Sequence, residues 1–116
     1  MEHITNVTEL QLHNTAVALG KFDGFHRGHQ LLLEQVRNWQ EQGLTGVIFT
    51  FAEAGKSLGV QKRIDSRNEK LRKAEAAGID ILLEYPFTKE FSAMEPETFV
   101  AEILIKQLGV KAVAVG

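Results

Sequence analysis

The sequence predicts an α/β fold built on a mostly parallel sheet, with strands and helices alternating along 116 residues. Four short apolar runs, rich in small and β-branched residues, predict buried strands, because strands covered on both faces are apolar throughout. Three segments with apolar residues at helical spacing lie between these runs and join them by right-handed crossovers. The predicted strands are residues 15–19, 46–51, 79–84 and 110–115, the predicted helices are residues 28–42, 66–77 and 96–108, and residues 52–62 and 85–94 are predicted loops.

Glycine, proline and capping residues set the limits of these elements. Gly20 ends the first strand. Ser66 and Glu69 have the spacing of a capping box at the start of the second helix, and Pro96 suits the first turn of the third. The residue that follows each helix is one that adopts left-handed backbone easily, namely Gly43, Gly78 and Gly109.

Composition and charge exclude several classes of protein. The net charge of −2 gives no reason to expect binding to nucleic acid or to a membrane surface. Because the chain has no cysteine, it has neither a disulfide framework nor thiolate metal ligands. The amino terminus lacks the basic start and apolar core of a signal peptide, and the apolar runs are too short to span a bilayer. We therefore expect a cytoplasmic protein with neither nucleic acid nor a membrane as a partner.

The length suits one compact domain, residues 1–116. The sequence stops directly after the fourth predicted strand, where a parallel sheet would place another binding loop. We therefore expect a fragment of a longer protein, truncated after the fourth strand; the alternative is a complete small domain.

The segment at residues 20–29, GKFDGFHRGH, carries the chemistry of the chain and lies between the first strand and the first helix. The amino end of a helix presents unpaired N–H groups and a positive partial charge, which both favour phosphate. His26 and His29 are spaced so that both rings can lie on one side of the helix start, and Gly28 leaves room for a phosphate against the backbone. Such a pair can stabilise the negative charge that builds on a triphosphate during attack at its α-phosphorus. Asp23 can orient a histidine, hold a metal-bound water or cap the turn; the alternative for both histidines is simple helix capping.

These residues resemble the signature of the bacterial FAD synthetases, in which an FMN adenylyltransferase module is usually fused to a riboflavin kinase. That family belongs to the wider group of H-x-G-H nucleotidyltransferases. Similar segments continue along the chain, namely IFTF at 48–51, Glu69-Lys70, GID at 78–80, PFTKEFSAMEPETFV at 86–100 and KAVAVG at 111–116. The resemblance implies a Rossmann-like three-layer nucleotidyltransferase fold. It also implies the reaction of FMN with ATP to give FAD and pyrophosphate, assisted by Mg²⁺, and a riboflavin kinase module in the parent protein.

The resemblance also assigns roles to single residues. His26 and His29 would be the catalytic residues, binding the ATP phosphates and stabilising the transition state. The residues expected to shape the nucleotide pocket or admit the phosphates are Gly20, Phe22, Asp23, Gly24 and Gly28. Phe51 ends a strand on the presumed ligand side and is a candidate wall for an apolar ring, so we include it among the cofactor-binding residues. No residue is predicted to be a protein ligand of a metal ion.

The chain also departs from the family pattern. Residues 52–55 lack the histidine-proline element that helps to form the flavin site, and the serine/threonine-arginine motif that completes the ATP site is absent from these 116 residues. We therefore expect the fragment alone to be inactive. Two alternatives stay open: another H-x-G-H transferase, acting on pantetheine phosphate or a phosphorylated alcohol, and a module that binds nucleotide or flavin without catalysis. Gly24 favours the flavin enzymes, because the relatives tend to have another residue after Phe-Asp.

Overall fold

The computed structural model describes residues 1–5, 10–20, 27–51, 71–86 and 88–115, with the side chains of residues 27–29 excepted. The described residues form a five-stranded sheet in which every pairing is parallel. Its strand order is β1-β4-β3-β2-β5. The strands are β1 (Glu2–Thr5), β2 (Thr15–Leu19), β3 (Thr45–Phe51), β4 (Ile81–Tyr85) and β5 (Val110–Val115). The predicted α/β class and the parallel sheet are confirmed.

Helices connect the strands as predicted, with two differences. The described helices are α1 (Arg27–Glu41), α2 (71–76), α3 (Lys89–Ser92), α4 (Pro96–Thr98) and α5 (Phe99–Gln107). The helix α3 lies within a predicted loop, and its four residues are too few to show a helical period. The helix α5 has π geometry, since the Leu108 N–H donates to the carbonyl of Ile103, five residues earlier. Residues 66–70 of the predicted second helix lie outside the described residues.

The helices cover both faces of the sheet, giving three layers. The face under α1 and α2, here called the α1 side, has a core of Ala18, Leu33, Val36, Ile48, Ala74, Ile79 and Leu82. The opposite face packs against α3, α4 and α5 through a core of Val17, Val47, Phe49, Ile81, Leu83, Tyr85, Ile103, Leu104 and Leu108. The nearly continuous apolar sequences of the central strands follow from this double coverage.

The strand β1 was not predicted. It has only four residues, EHIT, and it pairs on one side only, with β4. An edge strand of this kind is half-exposed and needs no continuous apolar run, so the pattern that identifies central strands is missing. The predicted count of four strands is therefore corrected to five in the described residues, and β5 is the fifth.

Candidate functional site

The parallel arrangement brings the carboxyl ends of the strands to one edge of the sheet. The last residues of β2, β3, β4 and β5 are Leu19, Phe51, Tyr85 and Val115. In open α/β sheets, ligands bind beyond this edge. Gly20, the first residue of the sequence motif, follows β2 at this same edge.

Gly20 lies directly after β2 and is half-buried. Its N–H donates a hydrogen bond of 3.3 Å to the carbonyl of Phe49, so the pairing of β2 with β3 continues to this residue. The helix α1 begins at Arg27 and packs on the sheet beside β2 and β3. The segment 20–29 therefore connects the carboxyl end of β2 to the amino end of α1, as the motif predicted. The first turn of α1 carries no acidic residue, so no carboxylate on it competes with an anionic ligand.

The structure describes only part of the predicted site. The backbone of Gly28 and His29 lies in the first turn of α1, whereas their side-chain surroundings lie outside the described residues. The other predicted residues of the turn, Phe22, Asp23, Gly24 and His26, lie outside the described residues altogether. The role of the histidine pair in binding phosphate stays a prediction.

Phe51 is the last residue of β3 and belongs to a group of aromatic rings that we call the aromatic cluster, Phe49, Phe51, Tyr85, Phe91 and Phe99. Its ring meets Phe49 edge-on at a centroid distance of 5.7 Å and Phe91 at 5.1 Å. Phe49 and Tyr85 stack at 5.4 Å with an interplanar angle of 20°. The cluster lies on the face opposite α1. Phe51 is half-buried and so offers part of its ring at the carboxyl edge.

The α1 side of the same edge carries buried polar residues that the sequence did not single out. Thr50 and Glu84 are 1% and 5% exposed and lie opposite each other in the register of β3 and β4. The imidazole Nε2 of His3, on β1, contacts the Oε1 of Glu84 at hydrogen-bonding distance. Sequence reasoning could have selected Glu84, because it is the single charged residue in the sequence of β4.

Within the described ranges, no group of three or more histidine, cysteine, aspartate or glutamate side chains is placed to hold a metal ion. No helix in the same ranges is long and apolar enough to cross a membrane.

Comparison with known proteins gives several curated relatives. The bifunctional riboflavin kinase/FMN adenylyltransferase of Escherichia coli strain K12 is 30% identical over 118 residues, covering 97% of this chain and 38% of its own length. The protein of the same name from Buchnera aphidicola subsp. Schizaphis graminum is 32% identical over 108 residues, covering 89% of this chain and 35% of its own length. The protein of the same name from Listeria monocytogenes is 32% identical over 101 residues, covering 79% of this chain and 31% of its own length. The chain therefore spans about a third of the length of these relatives.

A solved structure shares the fold. The crystal structure of a macrolide-efflux protein from Streptococcus pneumoniae matches all of this chain and 41% of its own, with a TM-score of 0.75 and 23% identity. At that identity the likeness concerns the fold alone. The sequence model of the FAD synthetase family matches residues 8–116, which is nearly the whole chain. This match shows that the chain belongs to the FAD synthetase family.

Proposed function

We propose that this chain is the nucleotide-binding part of an FMN adenylyltransferase, which transfers AMP from ATP to FMN and gives FAD and pyrophosphate. The observation that carries the proposal is the position of the segment 20–29 between the carboxyl end of β2 and the amino end of α1. A helix amino end at this edge of a parallel sheet favours a bound phosphate. The names of the curated relatives support FMN as the acceptor.

In the proposed reaction, a phosphate oxygen of FMN attacks the α-phosphorus of ATP. The new P–O bond forms as the bond to the β-phosphate breaks, and pyrophosphate leaves. His26 and His29 bind the triphosphate and donate hydrogen bonds to the oxygens on which negative charge builds, while Gly28 lets the phosphates approach the backbone. The proposed nucleotide pocket is shaped by four residues of the motif, Gly20, Phe22, Asp23 and Gly24.

Magnesium would neutralise part of the triphosphate charge when bound. This ion keeps several waters and is usually held by substrate phosphates with one or two carboxylates, so it does not need a set of protein ligands in the described residues. Asp23 is the residue of the motif that would hold one of its waters.

The apolar ring system of FMN is proposed to lie against Phe51. This ring is half-buried at the end of β3 and packs edge-on against Phe49 and Phe91, so its remaining exposed part is an apolar surface backed by other aromatic rings. An aromatic face at the carboxyl edge suits a flat heteroaromatic ligand.

The parent protein is proposed to act in the cytoplasm and to carry a riboflavin kinase module besides this chain. Support comes from the bifunctional relatives, of which the chain spans 38% in Escherichia coli. The proposed partners are small molecules, ATP and FMN, rather than nucleic acid or a membrane.

The test is an assay of the parent protein with FMN and ATP, in which FAD and pyrophosphate are measured together. His29→Ala is expected to lower kcat by a factor of about 100 or more, the usual effect of losing a donor that stabilises transition-state charge. His13→Ala is the matched control, because His13 is exposed and lies outside the motif, and it should leave kcat unchanged. Normal turnover in the His29→Ala variant would show that this histidine only caps the helix. Pyrophosphate released with phosphopantetheine or an alcohol phosphate, and no FAD formed, would identify another H-x-G-H transferase.

A further inference from the structure

The helix α5 packs against the sheet on the face opposite α1. Ile103 and Leu104 are its buried residues. Phe99, its first residue, is partly buried against the same core, and Leu108, which follows the helix directly, is fully buried there. The side chains at the two ends of α5 therefore point to the same side of the helix.

The spacing of the two end residues does not suit an α-helix. Phe99 and Leu108 are nine positions apart in the sequence. In an α-helix of about 3.6 residues per turn, nine positions make about two and a half turns, so the two side chains would point in opposite directions. In π geometry the hydrogen bonds reach back five residues, and each turn holds nearly one residue more. Nine positions then make about two full turns, and both side chains face the core.

The helix α5 thus contains one residue more than an α-helix with the same apolar face requires. If one residue between Phe99 and Ile103 were removed, eight positions would separate the two ends, which is about 2.2 turns of α-helix. Both end side chains would then lie on one side in α geometry as well. The exposed residue Ala101 lies in this interval. Because π segments are rare and frequently occur at functional sites, the additional residue suggests a role beyond packing.

The carboxyl end of α5 is fixed by hydrogen bonds to the segment that leads into β2. The carbonyl of Gln107 accepts a bond of 2.8 Å from the N–H of Leu12. Thr15 donates twice, from its hydroxyl to the carbonyl of Leu108 at 2.8 Å and from its N–H to the carbonyl of Gly109 at 3.2 Å. The short helix α4 at the other end of α5 has no buried residue. A change in the winding of α5 is therefore expected to move its amino end.

The amino end of α5 supports the aromatic cluster. The ring of Phe99 meets Phe49 edge-on at a centroid distance of 5.8 Å and Phe91 at 5.5 Å. These two rings are also the ones that pack against Phe51, at 5.7 Å and 5.1 Å. Phe51 is half-buried at the carboxyl end of β3. The direction in which Phe99 points therefore affects both rings that support Phe51.

We propose that the additional residue of α5 sets the geometry of the aromatic cluster and thereby shapes the apolar surface at Phe51 that receives the ring system of FMN. The π winding turns Phe99 toward Phe49 and Phe91 while the carboxyl end of the helix stays fixed. The helix α5 is then a positioning element for the acceptor and not for ATP. This role rests on the proposed function, because it presumes that FMN lies against Phe51.

The first test removes Ala101 from the parent protein, which should return α5 to α geometry and redirect Phe99. The KM for FMN in FAD formation is expected to rise about five- to tenfold, the usual effect of losing an aromatic contact, with the KM for ATP unchanged. The melting temperature should stay within about 5 °C of the wild-type value, because a regular helix replaces the π segment. Ala101→Ser is the matched control, since it changes the same exposed position without shortening the helix, and it should leave both KM values unchanged.

A second variant does not depend on how the shortened helix folds. Phe99→Leu keeps an apolar side chain at the start of α5 and removes the ring. It should raise the KM for FMN and leave the KM for ATP unchanged, as the deletion does. Because both changes act through the same ring, their combination should raise the KM for FMN by less than the product of the two separate effects.

NMR spectra of the parent protein, labelled on its phenylalanine rings, give a readout that needs no ligand. The signals of Phe51, identified by their loss in a Phe51→Leu variant, should shift in the deletion and in Phe99→Leu and stay in place in Ala101→Ser. Unchanged Phe51 signals in both variants would overturn the inference, and so would an unchanged KM for FMN in both. A wild-type protein that forms no FAD would instead count against the proposed acceptor, and the Phe51 signals would still decide whether α5 sets the cluster.

Discussion

The approach of α1 to the sheet depends on small side chains in β2. Ala18 is fully buried and packs in the same core as Leu33 and Val36 of α1. The change Ala18→Val adds two methyl groups where no surface is exposed. Overpacking of this kind usually costs about 1–3 kcal/mol, and in a domain of this size that lowers the melting temperature by roughly 4–12 °C. Since α1 carries His29 in its first turn, the same change should also displace the proposed phosphate site and reduce FAD formation in the parent protein.

The matched control for this prediction is Ala114→Val. Ala114 is the register partner of Ala18 on β5 and lies on the same face, but it is half-buried at the edge of the sheet, so the added methyl groups can reach solvent. This control should change stability by no more than about 0.5 kcal/mol. Thermal unfolding followed by circular dichroism measures both variants. Equal melting temperatures for the Ala18→Val variant and the wild type would refute the close packing of α1 on β2 as the feature that sets its position.

Two further predictions concern the backbone and the buried polar contacts. Gly43 and Gly109 both have positive φ, of 98° and 57° respectively. A Cβ atom added to Gly109 would lie 2.5 Å from the carbonyl oxygen of Leu12, whereas one added to Gly43 would have no atom within 4 Å. An alanine in left-handed backbone costs about 1–2 kcal/mol. Urea denaturation should therefore show that Gly43→Ala lowers the free energy of unfolding by about that amount and that Gly109→Ala lowers it by clearly more. Equal losses of unfolding free energy in the two variants would contradict the steric clash at position 109. Thr15 is fully buried, and its hydroxyl donates a 2.8 Å hydrogen bond to the carbonyl of Leu108. Thr15→Val should therefore lower the free energy of unfolding by about 1–3 kcal/mol, and a calorimetric scan identical to that of the wild type would show that the bond adds nothing.

The central elements could be predicted from sequence because their environment is uniform. The strands β2, β3 and β4 are covered on both faces, and their apolar runs gave their positions to within two residues. The strand β5 lies at the edge of the sheet, but its sequence VKAVAV is apolar enough to give its position as well. The glycines predicted to end helices have the positive φ that this role requires. The bounds of β2 and α1, the two elements that flank the motif, also agree with the predicted ones to within one residue.

The rest could not be predicted because it depends on which strands are neighbours. Nothing in the sequence EHIT shows that β1 pairs with β4, and without that pairing His3 has no visible partner. Glu84 is conspicuous in an apolar strand, but its register with Thr50 and its contact with His3 follow only from the strand order β1-β4-β3. The π geometry of α5 was missed because its buried residues, Ile103 and Leu104, and the buried Leu108 that follows it also fit an α-helical spacing.

The strand β3 presents two different kinds of side chain at the carboxyl edge of the sheet. Thr50 and Phe51 are consecutive, so their side chains point to opposite faces. Thr50 is a buried polar residue on the side of α1, and the amino end of a helix favours phosphate. Phe51 belongs to the aromatic cluster on the other face, where a flat apolar ring can lie. The proposed adenylyl transfer would need a phosphate-rich donor and a ring-bearing acceptor to meet, and the alternation of side chains along β3 places a polar and an aromatic residue at the same edge of the sheet.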